Sequence, residues 1–131
     1  MSVLRIKKFL FFYYRSLLVF LLILFASTIP ANEVQKVTWF TFPNFDKLVH
    51  MGMYFCFSFV LIFDILKTKS DFSSAKIYLL SALTALIYGG LLEIVQGTLT
   101  KTRSADIFDF LFNAVGILLA VTLWMVLRKP K

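Results

Sequence analysis

The sequence predicts an all-α membrane protein with four transmembrane helices and both termini in the cytoplasm. Apolar residues make up 60% of the 131-residue chain and charged residues only 16%, far from the balance of a soluble domain. The apolar residues are gathered into four segments, each close to the roughly 20 residues that a helix needs to cross a hydrocarbon core of about 30 Å. Basic residues favour alternate connections between these segments. We therefore expect a single transmembrane domain covering residues 1–131.

The first span is expected at about residues 9–29, after a short basic segment. Basic residues followed by an apolar run also describe a signal peptide. Pro30 interrupts the best small-x-small cleavage site, and the aromatic run "FLFFYY" lengthens the apolar stretch, so a retained helix is favoured. Arg15 lies near the inner end of this span, and its long side chain is expected to reach the interface.

The other spans are expected at about residues 48–66, 77–96 and 107–127. The connection between the first two spans carries Trp39, Phe40, Phe42 and Phe45. Aromatic residues, Trp in particular, are enriched at the membrane interface, so this outer loop is predicted to lie on the bilayer surface. A lid over a binding site is the alternative interpretation.

The distribution of basic residues sets the predicted orientation. Ten of the fourteen Lys and Arg residues fall at the termini or between the second and third spans, and the positive-inside rule places that side in the cytoplasm of a bacterial inner membrane. A net charge of +7 would also suit a nucleic-acid-binding protein, but the spans leave no room for a folded reading module. Nucleic acid is therefore excluded as a partner.

Polar or small residues recur at helical spacing in three of the spans. The second span carries Asp46, His50, Tyr54 and Ser58. The third span carries Gly89, Glu93, Gln96 and Gly97. The fourth span carries Asp106, Asp109, Asn113, Gly116 and Ala120. Residues three or four apart share a helix face, glycines allow neighbouring helices to approach closely, and ionisable groups within a membrane mark functional sites. We therefore expect these stripes to form one polar cleft facing outward.

Three motifs in order resemble the VanZ-like family of small bacterial integral membrane proteins: "DKLVHMGMY", "YGGLLEIVQ" and "RSADIFDFLFNAVG". The match covers residues 46 to about 120. The resemblance implies a role in the bacterial cell envelope, with a link to glycopeptide (teicoplanin) tolerance. The residues that it assigns to a site are Asp46, Lys47, His50, Tyr54, Glu93, Gln96, Arg103, Asp109, Asn113 and Gly116, and Asp106 joins them.

The leading hypothesis is a cleft that binds or processes the head group of an outer-leaflet lipid or lipid-linked envelope precursor. Arg103 and Lys47 would meet phosphate or carboxylate groups. Two alternatives remain open. The protein is an enzyme in which His50 or Glu93 acts as general base, with Asp109 a further catalytic candidate, or it is a structural helix bundle without a ligand. Homo-oligomers and complexes with another membrane protein are also open.

The charge of the stripes raises one further possibility. Several carboxylates in a water-poor cleft require compensation, so that either a proton is shared or a cation completes the site. Carboxylates, an Asn and a His are able to bind a divalent cation. However, the sequence contains no recognised metal-ligand spacing. A divalent cofactor is therefore kept only as an open alternative.

Overall fold

Four long helices make up the fold. The computed structural model describes residues 3–29, 44–68, 71–99 and 106–128. The helices are α1 (Val3–Thr28), α2 (Phe45–Thr68), α3 (Ser74–Leu99) and α4 (Ile107–Leu127), and no strand occurs within the described ranges. At a rise of about 1.5 Å per residue they are roughly 32 to 39 Å long. By length and composition, each of the four could cross a membrane, which supports a multi-pass membrane protein.

The four predicted spans are confirmed as helices, but the helices are longer than the spans. The largest difference is at the start of α1, which begins at Val3 rather than near Phe9. Lys and Arg are good helix formers, so the helix continues through the basic segment that hydropathy assigned to solvent. Most of the aromatic outer loop, residues 30–43, lies outside the described residues, and so does Arg103.

Local signals fix where three of the helices begin. Asn44 has a φ of 65°, a left-handed conformation that Asn adopts more readily than most residues, and its carbonyl accepts the first backbone bonds of α2. Ser73 Oγ accepts a hydrogen bond from the backbone N–H of Lys76 at 3.3 Å and so caps α3. Asp106 caps α4 by accepting from the Phe108 N–H at 2.8 Å. These caps satisfy N–H groups that a helix leaves unpaired at its start.

Helix α2 is the centre of the bundle, because it packs against each of the other three helices. Its most extensive interface is with α4. There the backbone of Gly116 lies directly against the backbone of α2 at Met51 and Phe55, which is the close approach that a glycine on a helix face permits. Gly89 is buried in a similar way beside the ring of Tyr54. Gly97 is exposed, so its part in helix packing stays a prediction.

Helix α1 is the most peripheral helix. Only 11% of its most apolar 18-residue stretch is buried, against 44% for the corresponding stretch of α2. Polar bonds hold it in place as well as apolar packing. The Tyr88 hydroxyl of α3 donates to the Phe20 carbonyl at 2.7 Å, and the two rings stack with their centroids 4.1 Å apart. A bond to a backbone carbonyl satisfies the hydroxyl without water, as a lipid environment requires.

Candidate functional site

Polar side chains from three helices meet at one end of the bundle. The first turns of α2 and α4 and the last turns of α3 contribute them, because α3 presents its C-terminal end where the other two helices begin. We call this group the polar cluster. It consists of Lys47, His50, Glu93, Asp106, Asp109 and Asn113.

Lys47 joins the start of α2 to the start of α4. Its Nζ donates to Asp106 Oδ2 at 2.8 Å and to Asp109 Oδ1 at 3.0 Å. The Lys47 hydrogen bond, followed by the bond from the Phe108 N–H, holds the pKa of the Asp106 carboxyl below its usual range. The Lys47 side chain is only 15% exposed, and two of its three donors are already used. The prediction that Lys47 meets a phosphate or carboxylate of a ligand stays a prediction; within the protein its ammonium already contacts two carboxylates.

His50 lies at the centre of the cluster and is buried. Its Nδ1 is 3.1 Å from Asn113 Oδ1. Because an amide oxygen can only accept a hydrogen bond, the Nδ1 carries the proton. The other ring nitrogen, Nε2, faces Asp109 Oδ2 at 3.6 Å. With Nδ1 as the donor to Asn113, Nε2 and the facing Asp109 oxygen are both acceptors, and a cation between them would satisfy both.

Glu93 closes the cluster from α3. Its side chain is 10% exposed, and Oε1 lies 4.0 Å from His50 Nδ1. The second oxygen, Oε2, accepts a hydrogen bond from the backbone N–H of Asp106 at 3.3 Å. The carboxylate is thus tied to the N-terminal end of α4, where the helix dipole favours negative charge.

Exposure falls steadily from the rim of the cluster to its base. The side chains of Asp46 and Asp106 are 65% and 37% exposed, whereas that of Asp109 is 14% exposed. Asn113 at the base is 1% exposed, and its Nδ2 has no hydrogen-bond partner among the described residues. A buried amide without a partner is costly. The cluster is therefore exposed at the helix ends and buried at its base, where the Asn113 amide lies beside Gly89.

The other predicted site residues are distributed around the cluster. Asp46 points outward and comes only to 3.9 Å of Lys47. Tyr54 is buried one turn below His50, with its ring against Gly89. Gln96 faces α1, where its Nε2 donates to the Ser27 carbonyl at 3.2 Å. These three residues therefore surround the cluster rather than form its centre.

A second polar group at the opposite end of α2 was missed by sequence reasoning. Asp64 is fully buried, and its Oδ2 accepts from the Ser16 hydroxyl at 2.8 Å and from the Ser16 N–H at 3.1 Å. Arg15 Nη1 lies 3.3 Å from Asp64 Oδ1. The expectation that Arg15 simply reaches for the interface is therefore incomplete, because it also neutralises a buried acid. The sequence did contain a signal for this contact, since Asp64 lies within the second apolar span and Arg15 within the first.

No family model, curated protein sequence or solved structure matches the chain.

Proposed function

We propose that this chain is a VanZ-like protein of the bacterial cytoplasmic membrane that binds the polar head group of an outer-leaflet lipid or lipid-linked envelope precursor in the polar cluster. The observation that carries the proposal is the cluster itself, three carboxylates with a His, a Lys and an Asn, gathered at one end of helices that are otherwise apolar. Ionisable groups within apolar spans are energetically costly, and where they occur they usually mark functional sites. A link to glycopeptide tolerance follows from the family resemblance.

The composition of the cleft indicates which parts of a head group it would hold. Carboxylate oxygens of Glu93 and Asp109 accept hydrogen bonds, so they suit hydroxyl, amide or amine groups. The Nδ2 of Asn113 is a hydrogen-bond donor without a partner among the described residues, but it is buried beside Gly89, so a head group would reach it only at the base of the cluster. Lys47 retains one donor for a phosphate or carboxylate, although its charge is already shared with two acids. A sugar or amine head group therefore fits better than a bare phosphate.

The proposed orientation places the cluster on the outer side of the membrane. It depends on the excess of basic residues at the opposite connections, by the positive-inside rule. Reporter fusions after Phe45 and after Lys69 test this orientation. We expect the first fusion to report the outer side and the second the cytoplasm, and a cytoplasmic residue 45 would overturn the outward-facing site.

Lipid retention tests binding directly. The protein is extracted with its native membrane lipids, and the lipids that stay bound are identified by native mass spectrometry. We expect a stoichiometric lipid that is lost in His50→Ala and in Glu93→Gln, because both variants remove groups at the centre of the cleft. Asp71→Asn is the matched control, since it removes a carboxylate beyond the opposite end of α2. Equal retention in all variants would contradict the proposal.

Acid–base catalysis on such a head group is the second candidate function. The observation that favours it is the position of His50, whose Nε2 faces Asp109 at 3.6 Å while Nδ1 is fixed by Asn113 at 3.1 Å. A base oriented through its second nitrogen is a common catalytic arrangement. Turnover of a lipid-linked substrate by the purified protein, absent in His50→Ala, would establish catalysis. Retention of lipid without turnover would leave binding alone.

A further inference from the structure

We propose that the polar cluster is a binding site for a divalent transition-metal ion of the Zn²⁺ type, with His50, Glu93 and Asp109 as its protein ligands. One potential ligand atom from each of these residues lies within 4.8 Å of the other two. In a tetrahedral zinc site, with bonds of about 2.0 to 2.2 Å, neighbouring ligand atoms are roughly 3.3 to 3.6 Å apart. The 3.6 Å between His50 Nε2 and Asp109 Oδ2 already has that value. Glu93 approaches the other ring nitrogen, 4.0 Å from Oε1 to Nδ1, so its side chain must turn toward Nε2 to complete the site.

Each of the three ligands is held through an atom that would not contact the metal. His50 is fixed at Nδ1 by the oxygen of Asn113, and Asp109 at Oδ1 by the ammonium of Lys47. Glu93 is fixed at Oε2 by a backbone N–H at the start of α4. This leaves His50 Nε2 and one oxygen of each carboxylate without a hydrogen-bond donor in the described cluster. Protein metal sites use this outer layer of hydrogen bonds to orient their ligands and set the His tautomer.

The charge of the cluster supports the same conclusion. The cluster contains three carboxylates, those of Glu93, Asp106 and Asp109, and one ammonium, that of Lys47, which contacts the two aspartates. With neutral His50 this leaves two negative charges without compensation among the described residues. One divalent cation carries the charge that is required. The structural pair at the other end of α2 shows no such excess, because Arg15 balances Asp64.

The donor set indicates the class of metal. A neutral imidazole with two carboxylates suits Zn²⁺ and neighbouring first-row ions, whereas Mg²⁺ and Ca²⁺ prefer oxygen ligands alone. Three protein ligands, rather than four, are also the pattern of zinc sites that keep one position for water or a ligand. The more exposed side of the cluster, where Asp46 and Asp106 lie, is the side from which a ligand would reach that position. The metal site does not require a head group, so it goes beyond the proposed function.

Metal analysis of the intact protein in detergent micelles tests the site. Zn²⁺ is added to metal-stripped protein, unbound ion is removed, and the zinc bound per chain is measured by mass spectrometry. The affinity for Zn²⁺ is measured by competition with a chromophoric chelator. We expect one Zn²⁺ per chain. We expect Glu93→Gln and Asp109→Asn each to weaken binding on the order of 100-fold or more, and Asn113→Ala about 10- to 100-fold, because it releases the His50 ring. Asp71→Asn, at the opposite end, should bind as the wild type does.

Several results would overturn the site. These are no retained Zn²⁺ in the wild type, equal retention in the three cluster variants, or binding of Mg²⁺ in preference to Zn²⁺. Co²⁺ substitution in the wild type gives a test that needs no variant, because intense ligand-field bands in the visible range indicate a four- or five-coordinate site, whereas six-coordinate Co²⁺ absorbs only weakly. A six-coordinate aqueous spectrum would contradict it. Lipid retained by protein that fails to bind metal would show that the metal inference fails and the head-group proposal stands.

Discussion

Replacing Gly116 with Ala should separate α2 from α4 and dismantle the polar cluster. A methyl group built at Gly116 falls well inside van der Waals distance of the Met51 carbonyl oxygen and 3.0 Å from the Phe55 nitrogen. Carbon atoms normally approach to about 3.5 to 4.0 Å, and the obstacle is helix backbone rather than a movable side chain. The two helices must therefore move apart by roughly 1 Å, judged from these separations.

A separation of that size affects both stability and the cluster. Overpacking of this kind costs about 1 to 3 kcal/mol in the free energy of unfolding. The bond from His50 to Asn113 crosses the same interface at 3.1 Å, and that from Lys47 to Asp109 crosses it at 3.0 Å. A further 1 Å takes both beyond the range of a hydrogen bond. We therefore expect Gly116→Ala to lose stability and, together with it, ligand binding at the cluster.

Gly52→Ala provides the matched control, because a methyl group there meets no atom within 4 Å. In a helix interior Ala is more favourable than Gly by about 0.5 to 1 kcal/mol, so this variant should be at least as stable as the wild type. Both are measured by reversible unfolding in mixed micelles, followed by far-ultraviolet circular dichroism. A Gly116→Ala protein as stable as Gly52→Ala would refute the close contact between α2 and α4.

Three further predictions concern the other polar contacts. Asp64→Asn should lower the free energy of unfolding by about 1 to 3 kcal/mol, because the buried carboxylate accepts two bonds from Ser16; unchanged unfolding would show that α1 is held by apolar packing alone. Tyr88→Phe should cost about 0.5 to 1.5 kcal/mol, as it removes one bond to an α1 carbonyl, and the same unfolding assay measures it. Asp106 has a pKa lowered below its ordinary value of 3.8, chiefly by Lys47. Its carboxylate therefore stabilises the fold fully above pH 3.8, and this advantage over Asp106→Asn should shrink as the pH falls further; a pH-independent difference would contradict the ion pair.

The helical spacing of polar residues predicted which residues gather at the site, but it did not predict which atoms contact each other. His50, Glu93, Asp109 and Asn113 come together as expected, because each lies on the buried face of its own helix. Asp46 belongs to the same stripe but is 65% exposed. It lies in the first turn of α2, beyond the helices that the structure describes as packing there. Helical periodicity predicts which residues share a face of one helix, but not which part of that face another helix covers.

By itself, the sequence determined the four helices, because apolar runs of this length have one stable conformation when no water is available to the backbone. It also determined that buried acids and bases would need partners. The tertiary structure decided which partners they found. Lys47 binds two acids of α4 and Arg15 binds Asp64 of α2, and neither pairing follows from spacing along one helix. Such contacts depend on how far helices rotate and how closely they approach, and here the backbone contact at Gly116 sets that distance between α2 and α4.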